Sequence, residues 1–257
     1  MPQFDADRDD VVARAREAGV ETMLIVGGVD EEQGHRRALR VADPLGFPAS
    51  AGVHPHESRL ATKAIYDELR ELARDRRIVA IGEIGLDFHY DHSPRDVQRE
   101  TFRRQVRLAR DVGLPVIVHT READAETATL LEGEGAAEVG GVIHCFTGGA
   151  DLAQRALALG FFVSFSGIVA FPRADGIQAV ARAMPLDRLL IETDAPFLAP
   201  PPHRGKRNEP AFVVEVAREV AALRGVTVET VGAATKANFE RLFGVPSGSR
   251  ASGSHAC

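Results

Sequence analysis

The chain has 257 residues, 44% hydrophobic and 26% charged, which suits one large α/β domain or two small ones. A formal net charge of −6 argues against a protein that coats nucleic acid by bulk electrostatics, though not against an enzyme that grips a few phosphates in a local basic pocket. Two cysteines without zinc-knuckle spacing, an acidic N-terminus (MPQFDADRDD) that reads as no signal peptide, and no apolar run of membrane-spanning length point to a reduced, cytoplasmic setting away from membranes.

Residues Asp7–Ala18 read as a helix, with Val11, Val12, Ala15 and Ala18 at helical spacing and Gly19 as its stop. A strand over Thr22–Val26 closes at Gly27-Gly28, and a helix follows from about Glu31 to Ala42. Pro48–Val53 is a weak strand running into Gly52-Val53-His54-Pro55-His56, followed by a helix over Thr62–Asp75. Ile78–Ile81 is a strand ending in Gly82-Glu83-Ile84-Gly85-Leu86-Asp87. Pro94, a good first-turn residue, opens a long helix to Val112. Pro115–Val118 is a strand ending at His119, and Asp124–Glu134 a helix. Gly141–Ile143 is a strand ending in His144-Cys145, and Asp151–Leu159 a helix. Phe161–Phe165 is a strand and Ile177–Met184 a short helix. Leu189–Ile191 is an apolar run suited to a strand buried on both faces; it ends in Glu192-Thr193-Asp194 before prolines forbid regular structure. Helices over Phe212–Leu223 and Val228–Phe243 follow, and the Ser/Gly-rich stretch 247–257 is expected to be a disordered tail.

Strict alternation of strand and helix predicts a parallel sheet with helical crossovers in one domain over residues 1–246. Seven strands are predicted and the first element is a helix. A closed (β/α)₈ barrel of the TIM type needs eight strands. The expected fold is therefore such a barrel with its first strand missing from this chain and an extra C-terminal helix. An open doubly wound sheet would carry a Gly-rich phosphate loop after its first strand, and Gly27-Gly28 is a poor match.

In a parallel barrel every strand C-terminus opens onto one face, so His54, Glu83, His119, His144 and Asp194 are expected around one bowl. Imidazoles with carboxylates are the ligand set of divalent ions such as zinc and manganese. Any one of these residues has a structural explanation, but polar groups of ligand type ending five strands would each otherwise need a buried partner. Beyond Asp194, the turn with Arg204, Lys206 and Arg207 offers cations to an anionic substrate. Cys145 is expected to point away from the bowl. Arg99, Arg103, Arg104, Arg107 and Arg110 on the long helix are expected to form a solvated face.

GVHPH, GEIGLDFH, PVIVHTRE, GVIHCFTG, FVSFSGIV and IETDAPFLAP followed by RGKRNEP resemble, in order, the motifs of the TatD family of metal-dependent deoxyribonucleases, which are amidohydrolase-like TIM barrels. The resemblance runs from about Phe4 to Phe243. It implies that Glu83 bridges two metal positions and that His119 and His144 ligate the second. Asp194 would ligate the first and handle the proton of the attacking water. His54 falls where the family has an active-site histidine, and Arg204, Lys206 and Arg207 resemble a phosphate-binding loop. One or two divalent ions (Mg, Mn or Zn) and single-stranded DNA as substrate follow from the same resemblance, with no obligate protein partner. Family members begin with a strand ending in His-x-His; MPQFDADRDD supplies neither strand nor histidines, which leaves two ligands of the first metal position unaccounted for. The expected activity is phosphodiester hydrolysis by metal-bound water. The alternatives are a related amidohydrolase or lactonase, and a barrel catalytically impaired by the lack of His-x-His.

Overall fold

The computed structural model describes residues 2–29 and 35–245. Its core is a six-stranded, all-parallel sheet in sequential order: β1 (Ser50–Ala51), β2 (Ala80–Asp87), β3 (Val116–Arg121), β4 (Gly141–Ile143), β5 (Phe162–Phe165) and β6 (Leu189–Ile191). The helices are α1 (Arg8–Glu17), α2 (Arg36–Leu45), α3 (Lys63–Arg74), α4 (Arg95–Val112), α5 (Asp124–Gly133), α6 (Ala150–Ala158), α7 (Asp175–Ala183), α8 (Val213–Arg224) and α9 (Val228–Phe243). This is the expected α/β barrel architecture, with an additional helix, α9, at the end. The start of the helix expected at Glu31 and the tail expected over 247–257 lie outside the described residues.

The sheet separates two apolar layers, as alternation along a strand requires. Ala80, Ile117, Val142, Phe162 and Leu190, one from each of β2 to β6, form a small inner cluster with Phe243 of α9. Their chain neighbours Ile81, Val116, Val118, Ile143, Val163 and Leu189 pack outward against helix residues such as Leu69, Phe102 and Leu131.

Three segments differ from expectation. Thr22–Val26 forms only a single parallel bridge, Ile25 to Ala49, where a strand was predicted. β2 does not stop at Ile81 but runs on to Asp87 through a shift in register between Ile81 and Ile84. The glycines that read as its end are demanded by close packing on β3. A Cβ at Gly85 (φ 142°) would lie 1.9 Å from the His119 carbonyl oxygen, and one at Gly82 2.6 Å from that of Ile117. Finally, α2 passes the expected stop at Ala42 and ends at Gly46, whose left-handed conformation (φ 69°) closes it.

Between the Ile25 segment and β6 lies a cavity of about 1250 Å³. Leu24, Ile25, Ile117, Val142, Leu190 and Phe239 line its apolar part. Its polar end reaches Glu83, His144, Glu192 and Asp194.

Candidate metal centre

The inward face of β3 to β6 carries an apolar residue and, two positions on, a polar one: Ile117 then His119, Val142 then His144, Phe162 then Ser164, Leu190 then Glu192. The polar set therefore forms one layer at the C-terminal mouth. Glu83 is its hub. Its Oε1 lies 3.0 Å from His119 Nδ1, 3.4 Å from His54 Nε2 and 3.6 Å from His144 Nε2. Asp194 Oδ1 lies 3.8 Å from His144 Nε2. The structure thus brings Glu83, His119, His144, Asp194 and His54 together. Donor atoms of His54, Glu83 and His119 all lie within 4.8 Å of one another, as do those of His54, His56 and Glu57.

Two carboxylates outside the expected set complete the layer. Asp87, its side chain only 1% exposed, accepts from His119 Nε2 at 3.1 Å and from His56 Nε2 at 2.9 Å. Its other oxygen accepts the backbone N–H groups of His89 and Tyr90. Glu192 Oε2 lies 2.7 Å from His144 Nδ1 and accepts from Ser164 Oγ at 2.9 Å. Alternation could have found both: Glu192 shares the inward face of Leu190, and Asp87 shares the parity of Glu83.

The electrostatics follow from this crowding. Burial works against charge on His144, but the Glu192 and Glu83 carboxylates outweigh it and push the ring up to about 10. Burial likewise opposes charge on His54, yet Glu83 and Glu57 raise it to about 9. Burial would raise Glu83, but His144 and His54 hold it well below the usual carboxylate range. Asp87 is also held low, its burial outweighed by donors from His119, Tyr90 and His56. Asp194 goes the other way: burial, with Glu192 and Glu83 nearby, outweighs His144 and pushes it up to about 6.

These residues fit a divalent cation. With Asp87 and Glu192 each taking one ring N–H, His119 and His144 turn their remaining nitrogens toward the Glu83 carboxylate. A lone pair and a carboxylate oxygen 3.0 Å apart demand positive charge between them, as a proton or a metal ion. His54 differs. Its Nε2 faces Glu83 at 3.4 Å as a donor, while its Nδ1 lies 3.4 Å from Glu57 Oε2 and 3.2 Å from the His56 backbone nitrogen.

The basic turn is set apart from this layer. Arg207 is paired with Asp7 and donates to the Gln3 carbonyl. Arg204 lies over the Phe171 ring, 3.9 Å from its centroid, and Lys206 is exposed. Buried Asn208 ties the turn to the Asp194 segment by donating to the Thr193 and Phe197 carbonyls. Cys145 donates to Ser166 Oγ and takes no part in the cluster. The α4 arginines pair with Glu126, Glu134, Glu100 and Glu138, as a solvated face would.

A parallel β/α barrel with imidazoles and carboxylates gathered at its strand ends is the architecture of a TIM-barrel hydrolase. A model of the TatD-related DNase family matches residues 1–244, and the chain belongs to that family. It is 43% identical over 242 residues to the "uncharacterized metal-dependent hydrolase YabD" of Bacillus subtilis, covering 94% of each chain. It is 40% identical over 246 residues to the "3'-5' ssDNA/RNA exonuclease TatD" of Pantoea vagans, covering 94% of this chain and 95% of the other. The crystal structure of the TatD homologue YJJV from Escherichia coli superposes with a TM-score of 0.87 at 29% identity, over 96% of this chain and 95% of that one. At this level the chain is a metal-dependent hydrolase of the TatD family. No helix among the described residues is long and apolar enough to cross a membrane.

Proposed function

We propose that the chain hydrolyses phosphodiester bonds of single-stranded DNA in the pocket centred on Glu83. The observation that carries this is the convergence of the free ring nitrogens of His119 and His144 on Glu83, with Asp194 beside them. A divalent ion held by Glu83, His119, His144 and Asp194 would supply Lewis-acid activation of water and neutralise phosphoryl charge. Asp194 is placed to accept the proton of the attacking water at Oδ1, since burial brings its carboxyl toward neutral pH. The water oxygen bonds to phosphorus, one ester P–O bond breaks, and the proton held on Asp194 passes to the leaving oxygen. His54 steadies Glu83 through Nε2–H. Arg204 and Lys206 meet phosphates further along the strand. The substrate class draws on the name of the Pantoea relative, and the exposed cations of the turn favour a phosphate ester over a lactone or amide.

Asp194→Asn keeps shape and removes the proton acceptor. It is expected to lower hydrolysis of an end-labelled single-stranded oligonucleotide by ~100-fold or more with little change in melting temperature. His119→Ala should lower bound metal as well as rate. A rate for Asp194→Asn within about threefold of the parent would remove Asp194 from the chemistry.

A further inference from the structure

We propose that Asp87 and Glu192 are positioning residues of the metal centre, holding His119 and His144 by opposite ring nitrogens so that His119 presents Nδ1 and His144 presents Nε2 to one point beside Glu83. This rests on the metal reading above and assigns roles to two carboxylates outside the expected ligand set.

The geometry is specific. His119 meets Asp87 through Nε2 at 3.1 Å and Glu83 through Nδ1 at 3.0 Å. His144 is turned the other way: Nδ1 meets Glu192 at 2.7 Å, and Nε2 faces Glu83 and Asp194 at 3.6 and 3.8 Å. Each ring therefore has one nitrogen toward a carboxylate behind it and one toward the pocket. Asp87 is no ligand itself. One of its oxygens serves two imidazoles and the other two backbone N–H groups, and the side chain is buried. Glu192 Oε2 is engaged by His144 and by Ser164, while its buried Oε1 has no partner among the described residues.

A carboxylate that accepts one imidazole N–H fixes the tautomer, locks the ring plane and makes the opposite nitrogen a stronger donor to metal. The two strands need opposite nitrogens because they approach Glu83 from different directions. His119 lies beside the glycine-flanked, register-shifted part of β2 that carries both Glu83 and Asp87. His144 lies just past the end of β4 and before a left-handed Cys145 (φ 44°), with Glu192 reaching it from two strands away.

The test uses the full chain, stripped of metal and titrated with Zn²⁺ against a chromophoric chelator, with ¹⁵N-histidine NMR of the zinc-loaded protein. In the parent, His119 should carry its proton on Nε2 and His144 on Nδ1. Asp87→Asn and Glu192→Gln should each weaken Zn²⁺ binding about 10- to 100-fold with unchanged circular dichroism. A parent in which both rings are protonated on the same nitrogen overturns the proposal, even if a variant fails to fold. So do folded variants that bind Zn²⁺ within about twofold of the parent, against the loss such carboxylates normally cause. A parent that binds no divalent ion overturns the metal reading itself, and the positioning roles with it.

Discussion

His35 opens α2 as a wholly buried imidazole, neither of whose ring nitrogens finds a partner among the described residues. Burial lowers it to about 4 from 6.5. A histidine lowered on folding is protonated first in the unfolded chain, so stability is complete above pH 6.5 and drains away as pH falls toward 4. The full loss is about 3 kcal/mol. Urea unfolding across that window should show this slope in the parent and a flatter one in His35→Leu; equal slopes would mean that His35 is solvated. Nothing in the sequence marked His35 as buried, because its partner segments are set by tertiary packing. The site residues were more legible. His54, Glu83, His119, His144 and Asp194 could be found because strand ends in a parallel barrel share a face. Asp87 and Glu192 do not stand out as strand ends; alternation, which puts Glu192 on the inward side with Leu190, is the signal that marks them.

Among the elements, β2 outruns its sequence signal because glycine reads as a strand breaker. Here Gly82 and Gly85 are what allow β2 to press against β3 and carry Glu83 and Asp87 on one face. Gly85→Ala would set a methyl 1.9 Å from the His119 carbonyl oxygen, on backbone that cannot move alone, and in a conformation (φ 142°) that side chains rarely adopt. It should destabilise the protein by roughly 3 kcal/mol or more. Because His119 would shift with the strand, metal affinity should fall as well. A melting temperature and zinc affinity like the parent's would show that β2 has slack. The Arg204–Arg207 turn was legible as basic but not as divided. Arg207 is spent on Asp7 and the Gln3 carbonyl, far back in the chain, while Arg204 lies over the Phe171 ring and Lys206 is exposed. Arg204→Ala with Lys206→Ala should weaken DNA binding and reduce its salt slope by roughly one to two units, one per phosphate released. Arg207→Ala should leave the slope alone and loosen the start of α1, read by hydrogen exchange. The reverse pattern would move the phosphate contact to Arg207.

At the scale of the whole molecule, strand counting expects a missing first strand, and the segment beside which it would pair is the one around Ile25. Ile25 spends both backbone groups on the β1 side, donating to the Pro48 carbonyl at 2.9 Å and accepting from Ser50 N–H at 3.1 Å. In extended chain the neighbouring residues then offer their N–H and C=O groups to the opposite side. Leu24 and Val26 make no backbone hydrogen bond among the described residues, and Val26 is 40% exposed. Across the apolar cavity β6 presents the other edge. Barrels avoid such edges by closing, and an inner layer lined by Ile117, Val142 and Leu190 needs side chains to fill it. One more parallel strand beside Ile25, with its C-terminal end at Glu83 and Asp194, would pair both edges and bring further ligands to the candidate centre. Extending the chain upstream by about ten residues, as a short apolar strand ending in His-x-His, tests this. Two or three inward apolar side chains, each contributing roughly 2 kcal/mol, should raise the melting temperature by roughly 10 °C. A second divalent ion should bind, and hydrolysis should quicken. The unextended chain should bind at most one divalent ion well, hydrolyse slowly, and self-associate through its open edges as concentration rises. Should the two forms melt together, bind the same number of ions and cleave at the same rate, the barrel is closed by some other segment and the gap carries no functional cost.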